Sequence, residues 1–172
     1  MAELSPQATH ILSILDPDFP EPANCVDGEL QDRLCLRFHD IIEPQPGLVA
    51  PEPRHIDALL AFGRKLSRGS SPHLLVHCHM GVSRSTAAMA ALLAQANPEA
   101  DERALMSHVA ELRPQAWPNM LMITLADEQL GRGGRLLEAL RALYARQIGR
   151  NPELADIMVR HGRRAEVEFA TS

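Results

Sequence analysis

The stretch His73-Leu74-Leu75-Val76-His77-Cys78-His79-Met80-Gly81-Val82-Ser83-Arg84-Ser85-Thr86 decides the reading of this chain. It opens on an apolar run of strand length, and Thr86 begins an alanine-rich apolar stretch that continues to Ala96. A strand, a tight loop and a helix are therefore predicted, with the Cys78 thiol at the strand end. Gly81 lacks the side chain that would obstruct a tight turn. Successive loop N–H groups can turn inward as an anion nest, joined by the unpaired N–H groups of the helix first turn. Arg84 adds a planar, permanently charged fork that matches two phosphate oxygens. A thiol at the centre of that field is expected as a nucleophilic thiolate.

Working outward, the composition suits one globular domain. At 172 residues and 45% hydrophobic content the chain can bury a real core, and with aromatics at only 3% that core must be aliphatic. A net charge of −5 argues against a general nucleic-acid binder. Lys65 is the only lysine, so the cations are almost all arginine. No segment reads as a membrane span or signal peptide. The three cysteines, Cys25, Cys35 and Cys78, make no even disulfide framework. A catalytic thiol needs a reducing compartment, so a cytoplasmic location is expected. Neither a nucleic-acid nor a membrane partner is expected, and the oligomeric state stays open.

Two more strands are predicted upstream, Ile11 to Leu15 and Arg33 to Phe38, separated by a Pro- and Gly-rich loop over residues 17–29. Helices are predicted from about Pro53 to Ser67, Thr86 to Ala96, Asp101 to Arg113, Pro118 to Leu130 and Arg135 to Ile148. Their inward faces carry Ile56, Leu59, Leu60, Gly63 and Leu66; Leu105, Val109 and Leu112; and Leu136, Leu140, Leu143 and Ile148. Asn151-Pro152 starts a last short helix, and the Arg- and Glu-rich tail from Gly162 is expected to be loosely held. Strands early and helices late imply an α/β fold with a central, mostly parallel sheet flanked by helices. One domain spans 1–172, with a core over about 10–148 and a C-terminal helix and tail over 149–172.

His77-Cys78-His79-Met80-Gly81-Val82-Ser83-Arg84-Ser85 resembles the His-Cys-x5-Arg-Ser/Thr signature of the cysteine-dependent tyrosine phosphatases. The Gly81-to-Ser85 half is most similar to the dual-specificity and bacterial branch. Leu112-Arg113-Pro114 with Trp117-Pro118-Asn119 resembles the Arg-Pro…Pro-Asn segment downstream of that loop. The resemblance implies a phosphotyrosine-phosphatase-like fold and residue roles. Cys78 is the nucleophile of a cysteinyl-phosphate. Residues His79, Met80, Gly81, Val82, Ser83 and Arg84 bind the phosphate, and Ser85 hydrogen-bonds the departing thiolate. His77 and Asn119 support the loop.

The leaving group needs a proton. The resemblance puts an Asp on a loop some thirty-odd residues before the Cys, and Asp40, after the second strand, fits. Asp57 reads as a solvated helix residue, with Asp27 and Asp32 as fallbacks. The cluster His73, His77, His79 and Cys78 lacks the two separated ligand pairs that zinc prefers, so no metal and no cofactor is expected. The expected substrate is a phosphorylated protein or a small phosphomonoester, phosphotyrosine first. A phosphoprotein-binding module with weak catalysis is the alternative, and sulfur transfer of the rhodanese type is disfavoured by the Ser-Arg-Ser end. The loop has no lysine, which argues against phosphoinositide substrates.

Overall fold

The computed structural model describes residues 8–20, 30–66, 68 and 72–172. Among these residues three strands form one fully parallel sheet in the order β2-β1-β3: β1 (His10–Leu15), β2 (Asp32–Arg37) and β3 (Leu74–His77). Every residue of β1 is buried, as expected of a strand paired on both edges. Its register sets Leu15 opposite Arg37 and Ser13 opposite both Cys35 and His77. All three strands therefore end at one sheet edge, which delivers Asp16, Phe38 and Cys78 to the same neighbourhood. Ligands bind at this carboxyl edge in open α/β sheets.

Among the described residues seven helices flank the sheet: α1 (Pro53–Leu66), α2 (Arg84–Ala96), α3 (Glu102–Leu112), α4 (Met120–Gln129), α5 (Arg135–Arg150), α6 (Glu153–Arg160) and α7 (Arg164–Thr171). Helix α2 is apolar on most of its circumference because it is enclosed: it packs on β1 and β3 and is bordered by α1, α3 and α4. The α1–α2 approach is close at Gly63, where an added Cβ would lie 2.1 Å from Gln95 Oε1 and 2.7 Å from Leu92 Cδ2. Helix α5 lies on α3 and α4, and α7 lies on α5. The core joins Leu12, Ile14, Phe38, Ile56 and Leu59 to the small side chains of α2, and reaches Trp117 and Tyr144, whose rings stack at 4.0 Å.

The predicted α1 end at Ser67 lies outside the described residues, as do Cys25, Asp27 and most of the 17–29 loop. Two expectations are corrected. Leu112 is 59% exposed rather than inward, because α3 ends there and its last side chain clears the bundle. The segment after Gly162 is not loosely held: it forms α7, with Arg163, Glu166 and Ala170 buried. Arg163 and Glu166 pair at 2.6 Å, so their charges compensate each other inside the protein. No helix among the described residues is long and apolar enough to cross a membrane.

Candidate active site

The segment from Cys78 to Ser83 leaves β3 and enters α2 as a tight loop, with Gly81 at φ 67°. Its carbonyls are held from outside. Arg113 donates from Nε to Gly81 O at 3.0 Å and from Nη2 to Met80 O at 3.1 Å. The Trp117 N–H donates to Val82 O at 2.9 Å, and the Asn119 N–H donates to Ser83 O at 3.3 Å. Four successive carbonyls, Met80 to Ser83, are engaged in this way. Among the described residues, none from His79 to Ser85 donates to a backbone carbonyl. The Arg-Pro and Pro-Asn segments thus supply the groups that hold the loop carbonyls.

Cys78 Sγ lies 3.3 Å from Ser85 Oγ, so the thiol and the expected hydroxyl do meet. Arg84 is 3% exposed. Its Nη1 donates to Phe38 O at 2.6 Å and to Asp16 Oδ1 at 2.7 Å, whereas its buried Nε has no partner among the described residues. One corner of the fork is thus locked by the ends of β1 and β2, and the Nε side is left for a ligand. An orphaned buried N–H of this kind costs about 1–3 kcal/mol unless something binds it.

Asp40 meets the distal half of the loop at Ser83. Its Oδ1 accepts from Ser83 Oγ at 2.8 Å, Asn119 Nδ2 at 2.9 Å and Arg163 Nη1 at 3.2 Å. Asn119 serves two ends: its Oδ1 accepts from Met122 N as the cap of α4, and its Nδ2 also reaches Ile41 O. Ser83 sits at the start of α2 without capping it, because its hydroxyl is committed to Asp40 and Arg163. The His77 ring meets Ser13 Oγ at 2.7 Å across the sheet, and burial keeps the imidazole below its ordinary pKa of 6.5. His79 meets Asp16 at 3.3 Å and packs edge-on against Phe19, with ring centroids 4.3 Å apart. Met80 is 76% exposed at the loop tip.

The remaining carboxylates lie elsewhere. Asp57 is exposed on α1. Asp32 is at the opposite end of β2, opposite His10, and is bound to Lys65, whose hydrogen bond is the main cause of its lowered pKa. His73 is also at that far end, beside Thr9. No three His, Cys, Asp or Glu side chains among the described residues group as a metal site.

Three participants went unassigned in the sequence. Asp16 has no role in that reading, although it follows β1 as Asp40 follows β2, and parallel strands end at one edge. Arg113 was legible as part of a resemblance without a task. Arg163 reads as solvated tail. The structure inserts it between Asp40 and Glu166, where burial alone would lower its pKa but Glu166 and then Asp40 outweigh that and raise it. Glu166 is fully buried and also accepts from Trp117 Nε1, Met120 N and Tyr144 Oη.

Residues 43–93 match the model of the PTP-like phytase family, described as inositol hexakisphosphate. No curated protein matches the chain. Among solved structures, the Yvh1 phosphatase domain from Chaetomium thermophilum is 24% identical, with 75% of this chain and 82% of that one covered and a TM-score of 0.47. The family match spans α1, β3, the Cys78 loop and most of α2, the elements that build the loop described above. The similarity to this family is thus confined to the segment that carries Cys78 and Arg84.

Proposed function

We propose that this protein hydrolyses phosphomonoesters through a cysteinyl-phosphate on Cys78, with protein phosphotyrosine as the substrate class. The observation that carries the reading is the divided Arg84 fork: Nη1 is locked on Asp16 and Phe38 O, and a buried Nε has no partner among the described residues. In the first step Cys78 Sγ bonds to phosphorus and the P–O bond to the leaving oxygen breaks. That oxygen takes a proton from Asp40. Asp40 Oδ1 is engaged by three donors, so the transfer falls to Oδ2. In the second step water attacks phosphorus, its proton goes to Asp40, and the Cys78 thiolate departs onto the Ser85 hydroxyl. The loop N–H groups from His79 to Arg84 and the Arg84 guanidinium hold the equatorial oxygens throughout.

The rim supports an aromatic or apolar leaving group. Met80 is exposed at the loop tip and Phe19 is exposed against His79. The family description favours a second reading, an inositol polyphosphate. Such a substrate carries many dianions and needs many cations. Near the loop, Arg113 is engaged with carbonyls, Arg37 is bonded to Asp16 O and Phe19 O, and Arg163 is bonded to Ser83, while Asp16 and Asp40 add negative charge. Lys65 is committed at the opposite end of the sheet. One phosphate on an apolar carrier suits this balance better.

The test is turnover of p-nitrophenyl phosphate across about pH 5–8, a window bracketing the acid and base limbs, with Cys78→Ser and Asp40→Asn beside the wild type. Loss with Cys78→Ser and a steep fall with Asp40→Asn are expected. A tyrosine phosphopeptide should be preferred over inositol hexakisphosphate, and the reverse order would replace the substrate class. Absence of turnover by folded, reduced wild type, with tight phosphopeptide binding, would make the loop a phosphate-reading module.

A further inference from the structure

The C-terminal segment places one charged side chain against the loop at Ser83. Arg163, at the start of α7, donates to Ser83 Oγ at 3.2 Å from both Nη1 and Nη2. The same Nη1 reaches Asp40 Oδ1 at 3.2 Å, and Nη2 reaches Glu166 Oε1 at 2.6 Å. Arg163 is 5% exposed and Glu166 is fully buried, so neither is a surface ion pair of small value. Glu166 in turn holds the segment that holds the loop. Its Oε2 accepts from the Trp117 indole at 2.6 Å, and its Oε1 accepts from the Met120 N–H at 2.9 Å. Trp117 and Asn119 are the residues whose N–H groups grip Val82 O and Ser83 O.

We propose that Arg163 is a positioning residue for the phosphate loop, fixing Ser83 and Asp40 so that the distal loop N–H groups face the bound oxyanion. Ser83 is the pivot. Its hydroxyl is diverted from capping α2 and is instead caught between an acceptor, Asp40, and two donors from Arg163. A hydroxyl satisfied on both sides has one orientation, and the Ser83 backbone turns with it. The substrate site is thereby coupled to a segment outside the residues that carry the family resemblance. The proposal rests on the reading of the Cys78 loop as an oxyanion-binding loop.

Tungstate, a phosphate-like oxyanion, is the probe. Trp117 is the only tryptophan and its backbone N–H is bonded to the loop, so its fluorescence reports occupancy. Affinity and p-nitrophenyl phosphate kinetics are compared for wild type, Arg163→Met, Arg163→Lys, Ser83→Ala and the Ser83→Ala/Arg163→Met double variant, with circular dichroism and melting as fold checks. Arg163→Met and Ser83→Ala should each weaken tungstate binding and raise KM about tenfold, the size of one charge-assisted hydrogen bond. Arg163→Lys should recover part of that loss, and the double variant should bind no worse than the weaker single one. Unchanged affinity in folded Arg163→Met, or additive losses in the double variant, would overturn the proposal. If Arg163→Met fails to fold, Ser83→Ala decides alone, because it leaves every buried charge paired. Wild type that binds tungstate without turnover sinks the hydrolase reading but leaves this one to be judged on affinity. Wild type that binds no tungstate sinks both.

Discussion

Replacing Arg113 with alanine tests how the loop is held. The guanidinium makes two hydrogen bonds, to Gly81 O and Met80 O, at 3.0 and 3.1 Å. Released, those peptide units can rotate and swing two N–H groups out of the nest. A hydrogen bond from a charged donor contributes about 1.5–3 kcal/mol when water is excluded. Arg113 is exposed, so water competes and screening reduces the pair to about 1–2 kcal/mol in total. At 1.4 kcal/mol per tenfold, that is roughly a five- to thirtyfold loss of oxyanion affinity. The assay is competitive inhibition by phosphate or tungstate, with KM measured alongside. The Arg113 backbone N–H still closes α3 on Val109 O, so the fold should hold and Tm should fall by no more than a few degrees. An Arg113→Ala protein with wild-type inhibition constants would refute the outer-clamp account. So would one whose affinity falls only in step with its loss of folded protein.

Gly81→Ala should raise KM without a clash, because the new Cβ would sit an ordinary 3.7 Å from Arg113 Nη2 and the penalty is the left-handed backbone, about 1–2 kcal/mol; unchanged kinetics would show that the loop can shift its backbone freely. Gly63→Ala should do the opposite, lowering Tm through displacement of Gln95 and loss of its 2.9 Å bond to Leu60 O. Its activity per folded molecule should stay at the wild-type value, and a drop there would contradict a purely structural role. For His77 the pH dependence follows from its lowered pKa: the folded state prefers the neutral ring, while the unfolded chain takes up a proton near 6.5. Stability should therefore be full above that value and decline as pH falls below it, levelling off once the folded ring is also protonated. Urea midpoints at pH 7.5 and 5.5 read this; His55 shifts in the same direction by burial, so His77→Gln should flatten the slope in part, and an unaltered slope would remove His77 from the account.

The sheet and most helices were legible because their signals are local: short apolar runs between Pro- and Gly-rich breaks, and helical spacing after them. The loop was legible because its residue types and offsets serve one chemistry. What escaped depends on long separations. Asp16 meets Arg84 across 68 residues, and nothing in Asp16-Pro17 distinguishes that partner from an ordinary turn. Arg163 and Glu166 look like any i,i+3 surface pair, and only the cavity formed by Trp117, Met120 and Tyr144 makes them interior. Leu112 failed in the other sense, since helical periodicity does not reveal that the helix stops where its face would turn inward.

The 123-residue separation between Arg163 and Asp40 has a consequence for how the protein is made. Strands β1 to β3 and helix α2 can associate while translation continues, since all are complete by Ala96. The brace on Ser83 cannot exist until residues through Glu166 have left the ribosome. A nascent chain therefore carries its thiol on an unbraced loop, and oxyanion binding should switch on only once Arg163 and Glu166 have emerged. Products that stop short of Glu166 would be poor phosphate binders even where their sheet has formed.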